Sequence, residues 1–116
     1  MPSRTDVAGI KMYDPFIMNG LRLASMTLQP ADNFPISTSH PTVLLLDPNG
    51  AAKDVLLPAE ADSKNLVFII RNIAAGAFAI VVKEDSDTTT IISLAQGKSA
   101  MVHCDGTTWR TITQLA

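Results

Sequence analysis

From residue 42 onward, short apolar segments alternate with turn residues, and this pattern most restricts what the chain can fold into. Segments such as TVLLLD, LVFIIRNIA and TTIISLA are six to nine residues long and rich in β-branched side chains. None of them carries the apolar spacing of an amphipathic helix over a dozen residues. Strands of this length between closely spaced turns are typical of all-β proteins. We therefore predict an all-β fold, either an antiparallel β-sandwich or a small β-barrel, with six strands from residue 42 onward.

The residues between these segments predict how the strands are connected. Pro48–Asn49–Gly50 stands between two apolar segments and is expected to form a hairpin turn. The sequences SDT and DGT are expected to turn the chain between later strands, and AGA and QGK supply further connections.

The first forty residues differ from the rest, which predicts a division of the chain into residues 1–40 and 41–116. Five of the seven prolines lie within the first 41 residues, and proline cannot donate to a helix or to a central strand. The sequence FIMNGLRL predicts a short hairpin about Asn19–Gly20, and we expect one or two strands from this part. The remainder is expected to be an extended, loop-rich N-terminal arm. It could pack on the β-domain as a flank or reach onto a neighbouring subunit.

Composition limits the classes of partner. Charged residues make up 17% of the 116 residues, below the usual quarter, and the net charge is −2. We therefore expect no nucleic-acid partner and no membrane partner. A single cysteine cannot form an internal disulfide, and the first residues lack the apolar run of a secretory signal. We therefore expect the protein to be made in the cytoplasm of the producing cell.

The segment HCDGTTWR, residues 103–110, brings catalytic residue types close together in sequence. Neighbouring side chains on a strand point to opposite faces, so His103 and Cys104 should not converge as a nucleophile pair. We predict that Cys104 is a small buried apolar residue and that residues 105–107 form a hairpin turn. Trp109 is expected either to fill the core or to anchor an interface. No catalytic residue is predicted, and the chain is not expected to be an enzyme.

Two other motifs are weak matches to ligand sites. EDSDTTT begins like a calcium loop but lacks the glycine and the later glutamate of that motif. Gly97–Lys98–Ser99 ends like a phosphate loop, yet the required earlier glycine falls on Ile92. Two histidines and one cysteine also supply too few ligands for zinc. We predict turns at both motifs, with no metal and no cofactor.

From Leu44 onward the chain resembles a recurrent β-module of tailed-bacteriophage virion proteins. The resemblance covers about the C-terminal 60% of the chain. Its landmarks are an LDP-G turn, V-LP, a central F-I-N strand and a final L--G----V-CDGT-W block. In this sequence they fall at Leu46–Pro48, Gly50, Val55, Leu57, Pro58, Phe68, Ile70, Asn72, Leu94, Gly97, Val102, Cys104–Thr107 and Trp109.

The resemblance implies a structural protein of the phage head. Short proteins with this module decorate capsids, whereas fibre proteins that use it are usually much longer than 116 residues. The expected function is that of a head decoration (cement) protein on the capsid surface of the virion. Such proteins commonly bind the major capsid protein lattice as trimers. The alternative is a tail-fibre or host-attachment module that binds a surface glycan or protein.

Apolar residues of the N-terminal part, together with Trp109, are the candidate contacts to the capsid or to a sister subunit. Methionine-rich apolar surfaces adapt to irregular partners, which favours this assignment. The candidates are Ile10, Met12, Tyr13, Phe16, Met18, Leu21 and Trp109.

Overall fold

In the computed structural model, which describes residues 20–115 and side chains up to residue 112, the chain forms two β-sheets. The five-stranded sheet contains, in spatial order, β1 (Ser25–Leu28), β3 (Val43–Leu46), β5 (Val67–Asn72), β8 (Ser99–Cys104) and β9 (Trp109–Leu115). The four-stranded sheet contains β2 (Phe34–Pro35), β4 (Lys53–Leu56), β6 (Ile80–Lys83) and β7 (Thr90–Leu94). A short 3₁₀ turn, Glu60–Asp62, lies between β4 and β5. The all-β prediction is confirmed.

The first six strands alternate between the two sheets, so that each strand is followed by one in the other sheet. Strands β1, β3 and β5 are therefore neighbours in one sheet and run parallel, with Val43 opposite Ile69. In the other sheet, β2, β4 and β6 are likewise neighbours that run parallel, with Val55 opposite Val82. Among residues 20–115, the antiparallel pairs are β5–β8, β6–β7 and β8–β9.

The prediction of an antiparallel fold is thus wrong for four pairs of strands, which are parallel: β1–β3, β3–β5, β2–β4 and β4–β6. Alternation of apolar and polar residues marks antiparallel strands with one wet face, whereas parallel strands read as nearly continuous apolar runs. The runs VLLL in β3 and VFII in β5 are of the second kind. The count of six strands from residue 42 is also one too low, since β3 to β9 make seven within the described residues.

The predicted hairpin at Pro48–Asn49–Gly50 is instead a corner that carries the chain from one sheet to the other. Asn49 and Gly50 both have positive φ, 53° and 93°. The largely buried Lys53 stabilises the corner, because its Nζ donates to the carbonyl oxygens of Pro48, at 2.8 Å, and Ala51, at 3.3 Å. The hairpins predicted at SDT and DGT are confirmed as the β6–β7 and β8–β9 connections.

The N-terminal part contributes β1 and β2, which agrees in number with the one or two strands expected there, but both lie after FIMNGLRL, and residues 20–23 of that predicted hairpin form no strand. Each of them pairs on one side only among the described residues, so both are edge strands. Ile36, just after β2, lies in the core. Most of the hairpin predicted about Asn19–Gly20 lies outside the described residues, and the division at residue 40 stays a prediction.

The inward side chains of both sheets form one apolar cluster. The cluster includes Phe68 and Ile70 of the five-stranded sheet and Val82 and Leu94 of the four-stranded sheet. The remaining buried members are Ile36, Leu44, Leu46, Val55, Leu57, Ile80, Ile92, Ala100, Val102, Cys104 and Trp109.

One fully buried polar side chain, that of Asn72, closes this core where β5 ends. Its Nδ2 donates to the carbonyl oxygens of Phe78, at 2.8 Å, and Leu94, at 2.9 Å, and its Oδ1 accepts from the N–H of Ala74. Its backbone N–H donates to the carbonyl of Lys98, and its own carbonyl accepts from Gly97. One residue therefore connects the β5–β6 corner with the β7–β8 corner.

We predict that Asn72→Ala destabilises the fold strongly, because it removes the side-chain partner of one buried carbonyl, one partly buried carbonyl and one buried N–H. The expected loss in the free energy of unfolding is roughly 2–4 kcal/mol, measured by chemical denaturation. The matched control is Asn33→Ala, which removes one exposed bond to the N–H of Asp54 and should cost less than about 1 kcal/mol. Equal losses in the two variants would contradict this role for Asn72.

Candidate functional site

The segment that carries the catalytic residue types, residues 103–110, is the β8–β9 hairpin. Cys104 lies opposite Trp109 and His103 opposite Arg110. Cys104 points into the core, whereas His103 lies on the partly exposed outer face of the sheet. The prediction that these two side chains do not converge is confirmed.

Cys104 is fully buried, as predicted, and its sulfur lies between two backbone groups. Its thiol donates to the carbonyl of Glu60 at 3.6 Å and accepts from the N–H of Gly106 at 3.4 Å. The thiol therefore ties the 3₁₀ turn to the hairpin, a structural role for a small, soft side chain.

Asp105 organises the hairpin turn through its carboxylate. Its Oδ1 accepts from the N–H of Thr107, the N–H of Thr108 and the Thr107 hydroxyl, each at 2.8 Å. The Thr107 N–H, followed by the Thr108 N–H and the hydroxyl, lowers the pKa of Asp105 to about 2. Gly106 occupies the left-handed region, with φ +100°, where glycine carries no steric cost. The carboxylate is thus committed to the turn and holds it in shape.

Trp109 is a core residue. Its indole ring is 2% exposed and lies 6.0 Å from the ring of Phe68, and its Nε1 donates to the carbonyl of Pro58 at 2.9 Å. Its place among the candidate contacts is therefore corrected: the ring offers no surface to a partner because it fills the space between β9 and the segment after β4.

The two weak ligand motifs are turns. In EDSDTTT, the hydroxyls of Ser86 and Thr88 donate to Glu84, and Asp87 pairs with Lys83 at 3.1 Å. Gly97 has φ +76° and lies in the β7–β8 corner, two residues before β8 begins. Within residues 20–115, no three His, Cys, Asp or Glu side chains lie close enough together to hold a metal ion. The same part of the chain contains no helix that could cross a membrane.

Of the seven candidate contacts, five lie outside the described residues: Ile10, Met12, Tyr13, Phe16 and Met18. Leu21 is described, and its side chain is 68% exposed shortly before the edge strand β1. Its surface position is compatible with a contact role, which stays a prediction.

The two ends of the body differ in chemistry, a feature that sequence reasoning missed. Because β1, β3 and β5 are parallel, the corners that follow them lie at one end, together with the β7–β8 corner. We call this the corner end; it comprises residues 29–33, 47–52, 73–79 and 95–98. The opposite, acidic end comprises residues 36–42, 57–66, 84–89 and 105–108. It carries Glu60, Asp62, Glu84, Asp85, Asp87 and Asp105.

At the corner end, the β5–β6 loop presents apolar residues to solvent. Residues 73–79, IAAGAFA, contain no polar side chain, and Ile73 and Phe78 are 36% and 37% exposed. Loops on a protein surface are usually polar, so this composition is unusual. The sequence signal for this surface is a connection between two strands that contains no polar side chain.

No family model, curated protein or solved structure matches this chain.

We predict that Asp105 makes stability depend on pH in the acid range. Its pKa is lowered to about 2 in the folded state from an ordinary 3.8, so its contribution is present above the ordinary pKa and disappears as the pH falls towards 2. The test compares the wild type with Asp105→Asn, which keeps an acceptor oxygen but cannot titrate. The stability difference should be largest near neutral pH and shrink in acid. A difference that is independent of pH would contradict this role of the carboxylate.

We also predict that Cys104 is protected from thiol reagents in the folded protein. Labelling should occur only when denaturant unfolds the chain, whereas a cysteine introduced at the exposed Ser93 should react at once in the native state. Cys104→Ser should lower the free energy of unfolding by roughly 1–3 kcal/mol, because the shorter C–O bond weakens both backbone contacts. Rapid native labelling of Cys104 would contradict its burial.

Proposed function

We propose that this chain is a structural virion protein of a tailed bacteriophage that decorates the head. It stabilises the capsid by binding the major capsid protein lattice, as a trimer. In this proposal the two packed sheets form the β-sandwich body of the decoration protein.

The observation that carries the proposal is the position of the residues on which the family resemblance rests. Most of them occupy places that determine the fold. Phe68, Ile70 and Trp109 fill the core, and Asn72 connects two corners. A pattern whose members carry distinct structural roles is a signature of a fold, which supports assignment of the chain to the phage β-module.

The landmark turns add to this support. Asp47 accepts from the N–H of Asn49 at 2.9 Å and shapes the first corner, where Gly50 has a positive φ. Asp105 and Gly106 shape the last hairpin in the same way. The LDP-G and CDGT blocks therefore mark two turns that use one device, an aspartate that accepts a nearby N–H before a left-handed glycine.

A body of this kind suits a stabilising role. A protein that binds the assembled lattice and not its free subunits stabilises the assembly by mass action. Turns closed by hydrogen bonds and a single packed core lose little conformational freedom on binding. The N-terminal residues that precede β1 are the proposed capsid contacts, with exposed Leu21 at their described end.

The proposal predicts that the full-length protein binds empty, expanded capsids that lack it. Binding should saturate at a fixed ratio to the major capsid protein and raise the temperature at which the capsids break open. Unexpanded capsids are the control, since their lattice spacing differs. Sedimentation of capsids with bound protein and a thermal melt of the particles measure the two effects.

Binding to host cell envelopes without binding to capsids would overturn the proposal. That result would favour the alternative of a tail-fibre or host-attachment module.

A further inference from the structure

The apolar loop at the corner end is held in one shape by polar groups beneath it. Asn72 binds the carbonyl of Phe78 and the N–H of Ala74, and Gln96 Nε2 donates to the carbonyl of Ala74 at 3.1 Å. The Phe78 ring lies directly over Gly76: a Cβ at that position would be 2.8 Å from the ring. The loop therefore presents its apolar atoms in a defined arrangement before any partner arrives, which lowers the entropy lost on association.

This surface contains both exposed apolar side chains and a recess. Ile73 and Phe78 each expose about a third of their surface on the loop, with the Phe78 ring lying across Gly76. Beside them lies a groove of about 320 Å³, lined by Ala77, Phe78, Ala79, Ala95 and Gln96. Apolar side chains next to an apolar groove on one surface allow one copy of the chain to pack against the next.

Charges on either side of the loop are of opposite sign. The β1–β2 corner carries the exposed Asp32, and the β7–β8 corner carries the exposed Lys98. The loop lies between them, next to the β7–β8 corner and separated from the β1–β2 corner by the β3–β4 corner, as the strand orders of the two sheets require. When identical copies are arranged around an axis, the Asp32 side of one can face the Lys98 side of its neighbour.

We propose that the loop of residues 73–79 is the contact through which copies of this chain associate into a closed ring. Apolar side chains of one copy's loop enter the groove beside Ala95 of the next copy, and Lys98 and Asp32 pair at the rim. This inference rests on the proposed function, from which the expectation of a homotrimer comes. It adds which surface forms the contact between the subunits.

Light scattering of the full-length protein tests this contact. The wild type should show a multiple of the 12.4 kDa chain mass at micromolar concentration. Phe78→Lys places a charge in the contact and should raise the dissociation constant about 30-fold or more, giving the monomer mass. Ala95→Lys, in the wall of the groove, should have the same effect. It replaces Phe78→Lys as the test if the latter variant does not fold.

The matched control is Ile112→Lys, which adds the same charge at an exposed apolar residue of β9 and should keep the wild-type mass. Lys98→Glu should weaken association about tenfold, and adding Asp32→Lys in the same chain should restore it. Circular dichroism establishes that each variant is folded. Wild-type mass in folded Phe78→Lys or Ala95→Lys, or a monomeric wild type at all concentrations, would overturn the inference.

Capsid binding separates this inference from the function on which it rests. A monomeric wild type that still binds capsids would overturn the loop contact and leave the decoration function standing. Association that depends on Phe78, in a protein that binds no capsid, would support the contact and overturn the function.

Discussion

The hydrogen bonds of the Asn72 amide are the interaction on which the arrangement of the two sheets most depends. An amide in an apolar core is costly unless all its groups find partners, and here they are satisfied by Phe78, Leu94 and Ala74. These partners belong to β7 and to the β5–β6 loop, so the amide connects elements that are distant in sequence. Packing of Phe68 and Ile70 supplies apolar burial but no such directional restraint.

Alternation of the strands between sheets makes the fold depend on distant contacts. Leu44 meets Ile70, and Val55 meets Val82, across more than twenty residues in each case. No early pair of strands can form as a local hairpin, since β3 and β4 lie in different sheets. Folds dominated by such pairings form slowly, because loop-closure entropy is lost before the contacts are gained. The β6–β7 and β8–β9 hairpins are the local exceptions.

Local chemistry explains what could be predicted from the sequence and what could not. The strand segments, the burial of Cys104 and the turn at Gly106 follow from side-chain period and left-handed glycine, both of which are short-range properties. The partner of each strand is not a short-range property: Val43 carries no mark that it pairs with Ile69. Pro48–Asn49–Gly50 favours a turn equally well in a hairpin and in a corner between sheets. The apolar loop was missed because its significance depends on exposure, which only the fold determines.

The close contact of Gly76 with the Phe78 ring has a consequence for how this surface can evolve. Exposed loops normally accept substitutions freely, whereas cores do not. Here a side chain at position 76 would displace the ring, and the main chain on both sides of it is held by Asn72. Position 76 thus combines the accessibility of a surface with a restriction on side-chain size that is usual in an interior. A larger residue at this position would require the Phe78 ring to move away from the loop.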